Sequence, residues 1–228
     1  MGIFQFKRVT VEDELIEVFK LRYKVYCEEW GFEKPEDYPG GLETDEFDKY
    51  SLYFAAVLKD TNQIIGTVRI ILNSEKGFPL ERHCKMDVNL PGFNRDKIGE
   101  ISRLAISKEY HRRLEDRFIY NDIAGYDPET YRFTNDRRKR QEIVIGLYKC
   151  IYVESKKMGL THWYAVMTKG LKLLLKRLGI LFVPIGPEIY YHGIRTPYLG
   201  SIEAIENEVL RVNPELYKEF LEGLRLQS

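Results

Sequence analysis

The chain has 228 residues, 35 Lys+Arg against 35 Asp+Glu for a formal charge of zero, and is 44% hydrophobic, 13% aromatic and 31% charged. That length favours one domain around one core, the neutral balance removes a global electrostatic case for nucleic acid or a polybasic membrane surface, and the apolar content excludes disordered and fibrous classes. Cys27, Cys84 and Cys150 are widely spaced with no CxxC, which disfavours a disulfide framework or a cysteine zinc site and predicts a cytoplasmic protein. The N-terminal MGIFQFKRVT has no apolar signal core and no run reaches the roughly 18 apolar residues of a membrane span, so no integral membrane association is expected.

In chain order, Thr10 with Glu12, Asp13 and Glu14 opens a segment whose Leu15, Val18, Phe19, Arg22, Tyr23 and Tyr26 recur at helical spacing, predicting a helix from about 11 to 26. Gly31, Pro35, Pro39, Gly40 and Gly41 make Glu28 to Gly41 a long loop. Three strands follow, Tyr50 to Leu58, Ile64 to Leu72 and Gly99 to Ser107, the first two joined through KDTNQ as a hairpin. Lys108 to Arg140 is polar, basic and aromatic and reads as an insertion in a single domain spanning 1–228. Then helix Gln141 to Lys157, strand His162 to Met167, helix Leu171 to Leu178 stopped by Gly179, strand Ile180 to Ile185, a loop Tyr191 to Gly200 and a last helix from about Ser201 to Leu210 complete an α/β (α+β) pattern with a mixed sheet.

The fingerprints GxxxxGK[ST], GxGxxG after a strand, GxSxG and HExxH are all absent. His83, Cys84 and Asp87 lie close in sequence but read as surface residues, so no metal is expected. The informative feature is charge placed near strands. Glu43, Asp45, Glu46 and Asp48 surround Phe47, Arg69 sits inside an apolar strand, and Glu100 and Arg103 flank Ile101 and Ser102 in another. An ion in a core must be paired, so Arg69 and Arg103 are expected to meet carboxylates of the loop. Two readings stand side by side: an ion network tying loop to sheet, or a polar pocket whose carboxylates hold an amine-bearing substrate.

The segments FKLRYKVYCEEWGFE, LETDEFDKYS, GTVRI and EISRLAIS, in that order over about 19 to 107, resemble the motif set of the bacterial acyl-homoserine-lactone (autoinducer) synthases and the related N-acyl amino acid synthases, both GNAT-like acyltransferases. GLKLLLKRLG matches more loosely, and YYHGIRTPYLGSI looks closer to the acyltransferases associated with PEP-CTERM/exosortase systems. The resemblance implies a GNAT-like fold, a twisted mixed sheet opened by an N-terminal helix with helices on both faces. It implies an acyltransferase in which Arg22, Asp45, Asp48, Arg69, Phe78 and Arg103 hold substrate, Phe32 stands where Trp is typical, and Glu100 is the general base. Tyr26 and Phe32 depart from the pattern at the acceptor end, which argues against S-adenosylmethionine as acceptor. A backbone amide near Leu104 or Ala105 would receive the thioester carbonyl, with Ile106 alongside the donor.

The RxxGxG diphosphate fingerprint is absent after Ser107, where KEYHRRLEDRF follows, so a phosphopantetheine thioester on acyl carrier protein is expected as donor ahead of acyl-CoA, with no tightly bound cofactor. Arg112, Arg113, Arg137, Arg138, Lys139 and Arg140 suit an acidic carrier surface. Phe118, Tyr120, Tyr126, Tyr131 and Phe133 read equally as a lid over an acyl chain or a packed loop, and Met167 and Leu171 as pocket wall or core. The expected reaction is therefore N-acylation of a small amine such as an amino acid. Its rivals are autoinducer synthesis from S-adenosylmethionine and a non-catalytic protein that binds acylated carrier or ligand.

Overall fold

A computed structural model describes residues 2–86, 94–108 and 134–225, with backbone only at 134–138 and at 225. Strands β1 (Phe4–Val9), β2 (Ser51–Leu58), β3 (Ile64–Leu72), β4 (Ile98–Ile106), β5 (His162–Met167), β6 (Val183–Pro184), β7 (Ile189–Tyr190) and β8 (Ile194–Ser201) form an eight-stranded sheet in the order β1-β2-β3-β4-β5-β8-β6, with β7 paired to β8. Every pairing is antiparallel except β4 with β5, which run parallel. The helices are α1 (Glu12–Tyr23), α2 (Pro79–His83), α3 (Thr134–Lys157), α4 (Lys169–Arg177), α5 (Ile202–Val212) and α6 (Pro214–Arg225).

The sheet is covered on both faces. On one, Phe54, Ala56, Val68, Ile70 and Ile101 pack against Ile143, Leu147 and Ile151 of α3. On the other, Tyr53, Ala55 and Val57 meet Val18 of α1, while Ala105 meets Leu21, Val25 and Tyr26. The helical run of α1 continues into a π-helical turn, Lys24–Glu29, and Gly31 then reverses the chain at φ 61°. Phe32 N and Glu33 N both donate to Tyr26 O, at 2.7 and 3.1 Å, which folds the following loop back over the sheet.

Several elements differ from the sequence reading. The sheet opens with β1, not with a helix: Phe6 alternates inward on this edge strand and its ring lies against Gly146 of α3, where a Cβ would collide with it. The predicted loop from Tyr191 to Gly200 is largely β8, because Pro197 needs no ladder donor of its own and its carbonyl still accepts from Ile185 N at 3.0 Å. The strand expected at Ile180 to Ile185 shrinks to Val183–Pro184. Thr134 to Arg140 belongs to α3, so the insertion ends earlier than expected. Helix α6 was not foreseen, although Asn213 caps it through Leu216 N at 3.2 Å, Pro214 occupies its first turn, and Leu216 and Phe220 are buried at helical spacing.

Candidate active site

Two features of β4 create the site. Its pairing with β3 slips between Thr67 and Arg69, and Arg103 takes φ 52°, so a bulge interrupts the ladder. The bulge puts the consecutive residues Ser102 and Arg103 on the same face. Both reach the loop side, Ser102 Oγ accepting from Arg69 Nε at 2.9 Å and Arg103 Nε donating to Glu43 Oε1 at 3.1 Å. On its other edge β4 pairs with β5 only from Ile98↔His162 to Ile101↔Ala165, although the strands continue to Ile106 and Met167. Beyond Ile101 they splay apart.

A cavity of about 440 Å³ passes through this splay. Asp45, Glu46, Arg69, Glu100 and Arg103 line its loop side, and Ile101, Leu104, Ala165, Met167 and Leu171 its α3 side. Tyr191 and His192 of the β7–β8 turn, Arg195 of β8 and His83 of α2 close the mouth, where His83 stacks on Tyr191 at 4.7 Å between centroids.

The polar wall is a closed ion network. Arg22 donates to Glu43 Oε2 at 2.5 Å and to Asp48 Oδ1 at 2.7 Å. Arg69 grips Asp45 with two bonds, 2.7 Å to Oδ1 and 2.6 Å to Oδ2, and also pairs with Asp48. Arg103 lies 3.1 Å from Glu43, 3.4 Å from Glu33 and 3.5 Å from Asp45. The loop also holds itself, since Asp48 Oδ2 accepts from Asp45 N at 2.7 Å and Asp45 Oδ1 from Phe47 N at 2.9 Å. Burial works against the charges of Glu43, Asp45 and Asp48, yet the neighbouring guanidinium groups outweigh it and hold all three below the usual carboxylate range.

Glu100 behaves in the opposite way. It is 2% exposed and accepts one backbone bond, from Leu80 N at 3.0 Å, with no ion pair among the described residues. Burial therefore dominates and pushes its carboxyl up to about 8. One wall thus carries ionised, paired acids and, a few ångströms of strand away, a single acid poised to exchange a proton near neutrality.

Residues 21–121 match the family model described as an acetyltransferase (GNAT) domain. Among solved structures, TofI in a ternary complex with an inhibitor and MTA is similar to it at TM-score 0.63 and 14% identity, covering 94% of this chain and 100% of that one. BjaI, a CoA-dependent acyl-homoserine lactone synthase with SAM and isopentyl-CoA, gives TM-score 0.61 and 16% identity over 92% of this chain and 89% of its own. FeeM, an N-acyl amino acid synthase from uncultured soil microbes, gives 0.57 and 11% over 91% and 94%. No curated protein sequence matches the chain. The expected GNAT-like fold is therefore the fold of this protein.

Within this fold the residues singled out from sequence fall into three places. Asp45, Arg69, Glu100, Arg103 and Leu104 line the cavity. Arg22 and Asp48 stand behind them, buried in the network, and Ala105 and Ile106 pack into the cores on opposite faces. Phe32 leans on Trp30, His192 and Arg195 beside the mouth, whereas Phe78 lies in the core edge-on to Tyr164, 5.5 Å between centroids, and does not line the cavity. Arg112 and Arg113 lie outside the described residues, as do the insertion aromatics and Asp87. Arg140 is buried, so it does not face a carrier surface. The sequence reading passed over Glu43 as a site residue, although it is the most buried acid of the network, and over Glu33, Tyr148 and the mouth residues His83, Tyr191, His192 and Arg195. Glu43 carried a signal, as one of four clustered carboxylates; the mouth carried none beyond its histidines.

Proposed function

We infer that the protein is an N-acyltransferase that moves a fatty acyl group from a phosphopantetheine thioester, on acyl carrier protein ahead of CoA, to the amine of an amino acid or similar small metabolite. The observation that carries this reading is the single cavity with an acidic wall on one side of the sheet and an apolar wall on the other, joined at the splay between β4 and β5. An amine enters as an ammonium and meets the carboxylates Asp45, Glu46 and Glu100 of the loop-side wall. Burial keeps Glu100 largely protonated in the free site; an adjacent ammonium favours its ionised form, so the two groups are matched for proton exchange. The freed amine attacks the thioester carbonyl, a backbone amide near Leu104 or Ala105 receives the oxyanion, and collapse expels the pantetheine thiolate, which takes up the proton. Arg22, Asp48 and Arg69 position Asp45 for this and need not touch substrate.

The missing diphosphate motif after Ser107 supports the carrier-borne donor. Cys27, Cys84 and Cys150, none of them in a disulfide, support a reducing cytoplasmic setting, and among the described residues no helix is long and apolar enough to cross a membrane. The run that resembles the exosortase-associated acyltransferases builds β7 and β8 at the cavity mouth, which ties that group, in this reading, to acceptor choice. The test is mass spectrometry of products formed from decanoyl-carrier protein with an amino-acid mixture or with S-adenosylmethionine, using wild type and Glu100→Gln. N-decanoyl amino acids that depend on Glu100 support the reading. A lactone product from S-adenosylmethionine alone, or thioester hydrolysis alone, overturns it.

A further inference from the structure

We propose that Glu81 and Arg95, neither of which lines the cavity, form the positioning pair of Glu100: they aim the Leu80 amide at its carboxyl and set how readily that carboxyl gives up its proton. The proposal rests on the acyl-transfer reading above and deepens it by naming what tunes its base.

Glu100 takes its hydrogen bond from Leu80 N at 3.0 Å. That amide lies in the first turn of α2, where N–H groups have no helical partner, and Pro79 before it has none to give. The turn is held from outside the site. Glu81 Oε2 accepts from Phe78 N at 3.0 Å, and Arg95 grips the same carboxylate with two bonds, 2.6 Å to Oε1 and 2.8 Å to Oε2. The Arg95 guanidinium also lies over the Phe78 ring at 5.5 Å, and Gly77, at φ 66°, passes so close that a Cβ there would stand 2.7 Å from Glu81 Oε2. One ion pair thus fixes the start of α2 and, through it, the direction of the Leu80 amide.

A cap alone needs no charge, since glutamine would accept from Phe78 N as well. The carboxylate adds a field, and that field reaches the base. Glu81 opposes the ionisation of Glu100, whereas Arg69 on β3 and Arg103 on β4 favour it. Tyr164, opposite Glu100 on β5, and Cys84, just after α2, also face it, and burial keeps both neutral at physiological pH. Arg95 is 49% exposed and Glu81 21%, so water screens the arginine more than the carboxylate and the pair presents Glu100 with a net negative field. That field helps to hold the proton on Glu100 until an ammonium arrives. The two halves of the pair therefore act on Glu100 in opposite directions. A purely mechanical clamp acts in one direction only: loosening the turn from either side withdraws Leu80 N, the bond that favours the ionised form, and makes Glu100 harder to ionise.

The experiment is a pH titration of the Glu100 carboxyl by 13C NMR, its signal identified by its loss in Glu100→Gln, in wild type, Glu81→Gln, Arg95→Gln and the double variant. The pH profile of kcat/KM is measured on the same proteins with decanoyl-carrier protein and an amino-acid mixture. Both single variants keep an acceptor for Phe78 N, so α2 should remain formed. Glu81→Gln should lower the Glu100 midpoint by roughly half a pH unit, Arg95→Gln should raise it by less, and the double variant should fall between the two. The rising limb of kcat/KM should move with each midpoint. Midpoints that stay unchanged in both single variants, or that move upward in both, overturn the proposal and leave acyl transfer intact. Midpoints that move as expected while the kinetic limb stays in place remove Glu100 as the base, which overturns the proposed mechanism of acyl transfer and the positioning role with it.

Discussion

The two walls of the cavity face each other across one sheet and are stabilised by opposite means. On the loop side Arg22, Arg69 and Arg103 interlock with Glu43, Asp45 and Asp48. On the α3 side Ile101, Ala165, Met167, Leu171 and Tyr148 make one continuous hydrophobic cluster. The charged wall is brittle, because each ion has given up water and depends on named partners. The apolar wall is tolerant, because its contacts are many and undirected. A site that must hold polar reacting groups within tight limits and accept a chain by shape alone uses each where it is suited.

The sharpest way to break the comparison is to remove one ion from the charged wall. Asp48→Asn and Arg69→Gln should each cost roughly 3–5 kcal/mol, since each leaves a buried guanidinium or carboxylate uncompensated. The double variant should cost clearly less than the sum, as read from a double-mutant cycle in urea. Strict additivity would show that the two side chains are not one network.

Glu100 sits at the seam and should separate catalysis from stability. Glu100→Gln should lower kcat and kcat/KM together by about 10²-fold or more while donor affinity holds. In wild type kcat/KM should rise with pH through about 8 as Glu100 ionises, and the variant should lose that limb, so the gap widens through about 8 and narrows only at higher pH, where the free amine predominates without a base. The stability sign follows from the same shift. The carboxyl is raised in the fold from 4.5 to about 8, so its protonated form stabilises the fold below 4.5 and that contribution is lost as pH rises through 8. Glu43, Asp45 and Asp48 are held low, so their contribution is present above their unfolded values and lost only as pH falls below them. Melting temperature against pH should thus decline on both sides, and Glu100→Gln should flatten only the alkaline side. An acid limb altered by that substitution would mean that Glu100 belongs to the ion network.

On the apolar wall Met167→Phe should leave the fold within about 1.5 kcal/mol and shorten the preferred acyl chain. Each methylene excluded would cost about 0.8 kcal/mol of affinity, close to fourfold; an unchanged chain-length profile would place the acyl chain elsewhere. The smallest effect belongs outside both walls. Glu215 and Lys218 pair at 2.7 Å on the exposed face of α6, and Glu215→Gln should move stability by under about 0.5 kcal/mol in thermal melts.

Much of this was legible in the chain. The hairpin of β2 and β3, the main body of α3 and the strand His162 to Met167 follow from local periodicity and turn chemistry, and Arg69 in an apolar strand already demanded an acidic partner. The edge strand β1 was missed because Lys7 and Arg8 dilute its alternation, and β8 because Pro197 reads as punctuation until a neighbour supplies the ladder.

Local pattern determined the types of group in the site: acids in the loop after Gly41, arginines on strands, one glutamate two residues from the bulge. Tertiary structure alone decided their roles. Glu43, Asp45, Glu46 and Asp48 are equivalent in sequence, yet Glu43 is fully buried between Arg22 and Arg103 while Glu46 pairs at the surface with Lys76 and Arg82. Glu100 became the unpaired acid because its strand position faces Leu80 instead of an arginine. Distance and solvent exclusion set the energy of a charge or a hydrogen bond, and both are properties of the assembled fold, not of neighbours along the chain.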